Sequence, residues 1–373
     1  MGRTIKSLFA PMAVILVASA VFLTWLASRS RDSYEPRLEF DPDPPEPPAA
    51  VVGDFQTFLG RLSHAAARSE SLLLHGPARK RAEEVFRNTA GVPQDVIVDN
   101  HSPYFLVDPE SIFALFSDLP TLERGLALFQ QQCSVCHGPF GRGNGPATRE
   151  WYAGNYPRNF WYGQYKNRST KYATLPTDSD IFRSITRGLY GSAMPAFRHL
   201  TEEDRWALVQ LLKALANFYD EYQETVVNLF DPQSGREQGQ RLPLPPEPKP
   251  TAQSVKRGRI VFIEQGCVAC HQGDKPMPVG LGRWEGNFNW YDEMQRPIQH
   301  SRDLTAGVFR AGSSTRDIFR IISGGPNVGP MPNYLNLSIE DRWALAHYVR
   351  SVFRSDYPQA PASADAEARP PQP

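Results

Sequence analysis

Cysteine is scarce in this chain: four residues among 373, all of them inside two C-x-x-C-H motifs. None is left for a structural disulfide, so no disulfide framework holds the fold. An excess of either charge is missing too, because 40 Lys and Arg balance 40 Asp and Glu. That balance gives no support to nucleic-acid binding, which announces itself as a basic surplus. Sustained period-two alternation is also absent, which argues against sheets. Proline is what the chain has in quantity, 34 residues and much of it clustered. Clusters of that kind mark linkers between compact parts, and this length suggests about two domains.

One long apolar run exists. "LFAPMAVILVASAVFLTWLA", Leu8 to Ala27, is uncharged and spans 20 residues, enough to cross a bilayer as a helix. A cleaved signal peptide is the alternative, with "ASA" at Ala18–Ala20 as its site. The run continues past that site through Leu26, so residues 1–29 are expected to be an uncleaved anchor. Arg3 and Lys6 on one side match Arg29 and Arg31 on the other, and charge therefore leaves the orientation open. Both readings export the rest of the chain. Residues 30–50, with "DPDPPEPP", form a proline-rich spacer, and 51–121 a helical extension carrying "FQTFLGRLSHAAARS" and no chemical motif.

Two units then repeat each other. "DIFRSITRGLYGSAMPAFRHLTEEDRWALVQLLKAL" (Asp180–Leu215) aligns without a gap on "DIFRIISGGPNVGPMPNYLNLSIEDRWALAHYVRSV" (Asp317–Val352). Upstream, "ERGLALFQQQCSVCH" parallels "KRGRIVFIEQGCVACH", and "PRNFWYGQYKNRST" at 157–170 parallels "SRDLTAGVFRAGSS" at 301–314. The repeat spans whole units, so it is a domain duplication rather than a solenoid. The domains are placed at 122–230 and 254–356, joined by a proline-rich linker at 231–253, with a low-complexity tail at 357–373 expected to be disordered. Helix signals dominate, including Thr201 as N-cap before acidic first-turn residues. An all-α fold is expected.

A C-x-x-C-H motif can be a redox dithiol, half of a zinc site, or a haem attachment point. A thioredoxin-like dithiol sits in an alternating strand–helix pattern, which is absent. A structural zinc site needs four ligands, and pooling both motifs would force two separate repeats to share one metal. Haem attachment needs only local residues: two thiols add to the vinyl groups and the adjacent histidine binds iron. Cys133, Cys136 and His137, with Cys267, Cys270 and His271, therefore point to two covalently bound haem c groups. Met194 and Met331, each followed by proline, lie 57 and 60 residues beyond those histidines. Their recurrence at equivalent places makes them the candidate sixth iron ligands. Met277-Pro278 lies six residues past His271 without a counterpart in the first unit, and is read as a loop residue. His199, His300 and His347 are read as surface or helix-face residues. Histidine–methionine ligation favours a fairly positive potential and leaves no open iron position.

Each unit resembles a class I cytochrome c: a helix ending in C-x-x-C-H, a loop region, an M-P ligand loop and a closing amphipathic helix with an aromatic residue. "CHGPFGRGNGP" followed by "YPRNF" is similar to cytochrome subunits of bacterial respiratory complexes and membrane-bound dehydrogenases. The resemblance implies that the first and last helices of each unit cross, bringing Gly125 and Phe129, or Gly258 and Phe262, to the helices of Trp206 and Trp343. It implies a proline carbonyl on the proximal histidine, from Pro139 or Pro157, and Arg158 and Arg302 as partners of haem propionates. It also implies a single-pass protein of the bacterial inner membrane with both haems periplasmic. Electrons would be relayed between redox protein partners such as a quinol-oxidising complex, a dehydrogenase or a terminal oxidase. A dihaem cytochrome c peroxidase is the rival, and it requires one open iron, against which Met194 and Met331 speak.

Overall fold

The computed structural model describes residues 46–67, 72–73, 107–147, 157–163, 165–220, 222–271, 301–326 and 331–359. The expected anchor, most of the spacer, the "ARKRAEEVFRNTA" segment, Met277, His300 and the tail beyond 359 lie outside them. Among the described residues no helix is long and apolar enough to cross a membrane.

The two repeats form two helical lobes built on one plan. Lobe 1 contains α3 (Pro120–Gln132), α4 (Ser134–His137), α5 (Asp178–Arg187) and α6 (Glu202–Ala214). Ahead of it come α1 (Ala49–Ala66) and α2 (Pro109–Ala114). Lobe 2 contains α7 (Ala252–Glu264), α8 (Val268–His271), α9 (Thr315–Gly324) and α10 (Ile339–Phe353).

In each lobe the first and last helices cross at a glycine. A Cβ on Gly125 would stand 2.5 Å from the Ala207 carbonyl oxygen, and one on Gly258 would stand 1.9 Å from that of Ala344. Both crossings therefore demand backbone-to-backbone approach that any side chain would block. An ion pair locks the rim of each: Arg124 on Asp204 and Arg257 on Asp341, both at 2.7 Å. Below it, Phe182 stacks on Trp206 at 4.2 Å and Phe319 on Trp343 at 4.1 Å. The helix starts match as well, with Thr201 capping α6 and Ser338 capping α10.

The described part of the extension packs on lobe 1. Val51, Phe55, Phe58, Leu59 and Leu62 form one buried stripe of α1, the spacing of an amphipathic helix. Helix α3 has no side-chain N-cap of its own. Asp54 of α1 supplies the missing acceptor, taking the Thr121 N–H at 2.7 Å.

Two features depart from expectation. An antiparallel ribbon, β1 (Asn217–Asp220) with β2 (Thr225–Asn228), grows from the end of α6. Asn228 Nδ2 donates to Asn217 Oδ1 at 2.9 Å and to the Lys213 carbonyl, while Asn217 caps the Ala214 carbonyl. Four residues per strand are too few for alternation to register in sequence. The segment 231–253, read as a linker, is fastened along lobe 1: Leu242 N–H donates to Ser169 O at 2.8 Å and Gly239 lies against the Leu175 carbonyl. Its prolines keep it extended, and extended chain can hydrogen-bond a neighbour.

Both lobes belong to a single compact unit and touch at their α5 and α9 helices. Arg187 at the end of α5 pairs with Asp317 at the start of α9, 3.8 Å apart with both side chains buried. Gly324, at the end of α9 and aligned with Arg187, lies against the Thr170 carbonyl, seven residues ahead of the α5 cap Thr177.

Candidate functional site

Each C-x-x-C-H motif folds as a short helix following a longer one. The Cys133 N–H closes on Phe129 O at 2.9 Å and the Cys267 N–H on Phe262 O at 3.0 Å. The ring of His137 lies 6.4 Å from that of Phe129 at 51°, and His271 repeats both values against Phe262. The repeat thus extends to the orientation of the imidazoles.

A backbone carbonyl sets that orientation. Nδ1 of His137 donates to Arg158 O at 2.9 Å, and Nδ1 of His271 to Arg302 O at 3.0 Å. A carbonyl can only accept, so Nδ1 carries the proton and Nε2 keeps the lone pair that a metal needs. Neither Pro139 nor Pro157 is the acceptor. The role falls one residue later, at the same aligned position in both lobes, and the exchange of Pro157 for Ser301 leaves it intact. Burial lowers the pKa of His271, opposed by the Arg302 carbonyl, and the neutral ring is the ligating form.

The thiols are not poised as thiolates. Burial pushes Cys133 up to about 12, with Cys136 adding to the effect, and burial raises Cys136 and Cys267 too. A redox dithiol requires the opposite shift. Among the described residues no three His, Cys, Asp or Glu side chains gather to hold a metal ion, which removes the shared zinc site. Half-buried neutral sulfurs beside a histidine whose Nε2 lone pair is set aside fit thioether attachment and one axial ligand.

The methionine loops are hung alike. The residue three beyond each methionine donates its N–H into the preceding helix: Phe197 to Ile185 O and Tyr334 to Ile322 O, both at 3.0 Å. Gly188 and Gly325 turn the chain at φ 67° and 66°, where the loop's own backbone lies against them. Met194 packs beside the lobe 1 core, and Met331 is half-buried. His199 is exposed, as expected. His347 is not on a surface: it is fully buried, with Nδ1 2.8 Å from Ser254 Oγ. An amphipathic reading of α10 places it correctly only once the partner helix is known.

Several neighbours carried no signal in the sequence. Phe160 stacks on His137 at 4.5 Å and 27°, where lobe 2 has Leu304. The glycine-rich loop returns onto α4, Gly143 N–H donating to His137 O at 2.8 Å and Gly145 N–H to Cys136 O at 3.1 Å. In lobe 2 Ser301 Oγ takes over, donating to Cys270 O at 2.5 Å. Arg142 is buried over the Trp161 ring, with Nη2 on Val107 O; burial brings its pKa down to about 10.

Residues 120–212 match the family described as cytochrome c oxidase, cbb3-type, subunit III, and residues 255–353 match the cytochrome c family. A chain of the Kuenenia stuttgartiensis reducing HAO-like protein complex is 32% identical, covering 62% of this chain and 96% of that one at a TM-score of 0.51. This chain is a c-type cytochrome. Its two cytochrome c domains bear two covalently bound haem c groups with their iron. No curated protein matches the cytochrome. Electron transfer is the chemistry such domains perform.

Proposed function

We propose that the cytochrome is a membrane-anchored electron relay serving as a subunit of a larger redox complex. Cys133 and Cys136 would hold one haem, with His137 and Met194 as the residues that would ligate its iron. Cys267 and Cys270 would hold the other, with His271 and Met331 in the same roles. The haem supplies one-electron chemistry when bound. The chain's own work is to fix each imidazole by a backbone carbonyl, to suspend each thioether ligand on a pinned loop, and to limit water at the buried faces.

One observation carries this reading: the two lobes repeat both the histidine-to-carbonyl contact, 2.9 and 3.0 Å, and the methionine-loop attachment. A peroxidase requires its two sites to differ at the iron. Membership of the related chain in a reducing HAO-like complex supports a role beside a catalytic partner. The charge-free run at Leu8–Ala27 supports a membrane anchor, and the family resemblance supports haems on the periplasmic side of the bacterial inner membrane.

Absorption and EPR spectra of the detergent-solubilised holoprotein test the ligand sets. Two low-spin His/Met haems are expected, and partners should co-purify from membranes. A high-spin haem that persists in the half-reduced protein, with peroxide turnover, would sink the relay.

A further inference from the structure

The two methionine loops share their attachment to the preceding helix but differ ahead of the methionine. In lobe 1 the loop is closed by its own hydrogen bonds. Leu189 N–H donates to Met194 O at 3.1 Å. Met194 N–H donates to Ser192 Oγ at 3.2 Å, and the Ser192 hydroxyl donates to Leu189 O at 2.6 Å. Ser192 N–H reaches the same carbonyl at 3.1 Å, which makes Leu189–Ser192 a tight turn. Gly191 takes its third position at φ 65°, the left-handed backbone that such a turn assigns to glycine. Both backbone polar groups of Met194 are thereby tied to one turn.

That turn meets lobe 2. A Cβ on Gly191 would stand 3.0 Å from Cγ1 of Val308, so the bare backbone leaves a notch that the valine fills. The Arg187–Asp317 pair holds the lobes together at the root of the same loop. Lobe 2 is written differently. Pro326 stands where lobe 1 has Leu189 and has no N–H to donate, and Gly329 replaces Ser192 and has no hydroxyl. Val328 stands where lobe 1 has Gly191, and Val308 itself where lobe 1 has Gln164. Both the notch and the side chain that fills it therefore belong to one side of the repeat.

We infer that Val308 of lobe 2 is a positioning residue for Met194 of lobe 1, clamping the Gly191 turn on which that methionine hangs. The inference rests on the His/Met reading above. Its content is directional: the ligand of lobe 1 depends on a side chain of lobe 2, and Met331 does not depend on Val308. A seated side chain resists displacement because packed atoms lose their contacts over a fraction of an ångström. The turn passes that resistance to Met194 through the Ser192 hydroxyl and the Leu189 N–H. Losing a thioether opens the iron and lowers its potential, so the clamp keeps lobe 1 a carrier.

Val308→Ala and Val308→Thr in the full-length holoprotein test this. Each is made in a Met331→His background, so that the remaining sulfur-to-iron band belongs to Met194. Imidazole is the probe, because it competes with the thioether for iron, and the concentration that bleaches half the band is read. Val308→Ala should lower that concentration severalfold. Val308→Thr, which keeps the branched shape, should restore most of it. Ser192→Ala, which removes the hydroxyl inside lobe 1, should lower it as well. In a Met194→His background, Val308→Ala should leave the half-point of the Met331 band where it was. An unchanged half-point for Met194, or an equal fall for both methionines, overturns the clamp but not the relay. Absence of any sulfur-to-iron band from the unmodified protein overturns the ligand reading itself, and the clamp with it. Should Val308→Ala not accumulate, Ser192→Ala decides, and an unchanged half-point there overturns the clamp.

Discussion

The two lobes agree where iron is to be bound and differ in almost everything around it. Both use a carbonyl at the same aligned position, the same helix-crossing glycine and the same loop attachment for methionine. Yet lobe 1 stacks Phe160 on its histidine, whereas lobe 2 puts Tyr334 beside Cys267, Oη to Sγ 3.9 Å. Lobe 1 is further covered by α1. Under the proposed ligation, equal ligands in unequal surroundings should give two haems of one chemical type and two potentials, because hydrogen bonding and dielectric around a haem tune it. Direction between donor and acceptor can then come from the surroundings alone.

The comparison breaks most completely at the methionines. Met194→His and Met331→His should each lower the potential of one haem by a sizeable part of the ~0.8 V that axial ligands command. Each should also abolish that haem's sulfur-to-iron absorption band while the other lobe keeps its own. Redox titration followed optically reads both effects, and a variant that alters both haems equally would show the lobes are not independent at the iron.

A smaller effect is expected at the helix crossings. Gly258→Ala and Gly125→Ala push a methyl group into backbone and should cost about 1–3 kcal/mol. Lobe 2 should suffer more, since its approach is 1.9 Å against 2.5 Å. Thermal unfolding with haem absorbance as the probe separates the lobes, and equal losses would contradict the ranking.

The smallest difference concerns acid. His347 is buried where lobe 1 has Gln210, and burial lowers its pKa in the folded protein, with a backbone contact to Pro248 opposing. The unfolded chain therefore takes up the proton first. The contribution of the neutral ring is complete above the unfolded value of about 6.5 and is lost as pH falls toward the depressed folded value. Denaturant titrations of wild type and His347→Gln between pH 7.5 and about pH 5 should show a flatter dependence in the variant.

Legibility followed locality. Cys133, Cys136 and His137 lie within five residues, so their chemistry is readable from spacing, and the second copy at Cys267–His271 removes the ambiguity. The two methionine loops, which the structure hangs alike, were matched in sequence only through the gapless repeat. Gly125 and Gly258 were legible through the family likeness, because a close helix crossing admits no other residue. The histidine acceptor was not, since a backbone carbonyl leaves no trace in residue identity, and the expected proline lay one position short. His347 and the strap at 231–253 failed for a related reason: burial and pairing depend on what lies opposite, and composition records only the segment itself. The cap that Asp54 gives α3 is likewise a contact across 67 residues.

The contact between lobes has a consequence for stoichiometry. Arg187 at the end of α5 pairs with Asp317 at the start of α9, and Gly324 at the end of α9 meets the Thr170 carbonyl of lobe 1. Two domains carried by one polypeptide meet at a high effective concentration, so their pairing does not depend on how dilute the protein is. Joining them also lets each half diverge, with Gly324 standing where lobe 1 has Arg187, which identical subunits cannot do.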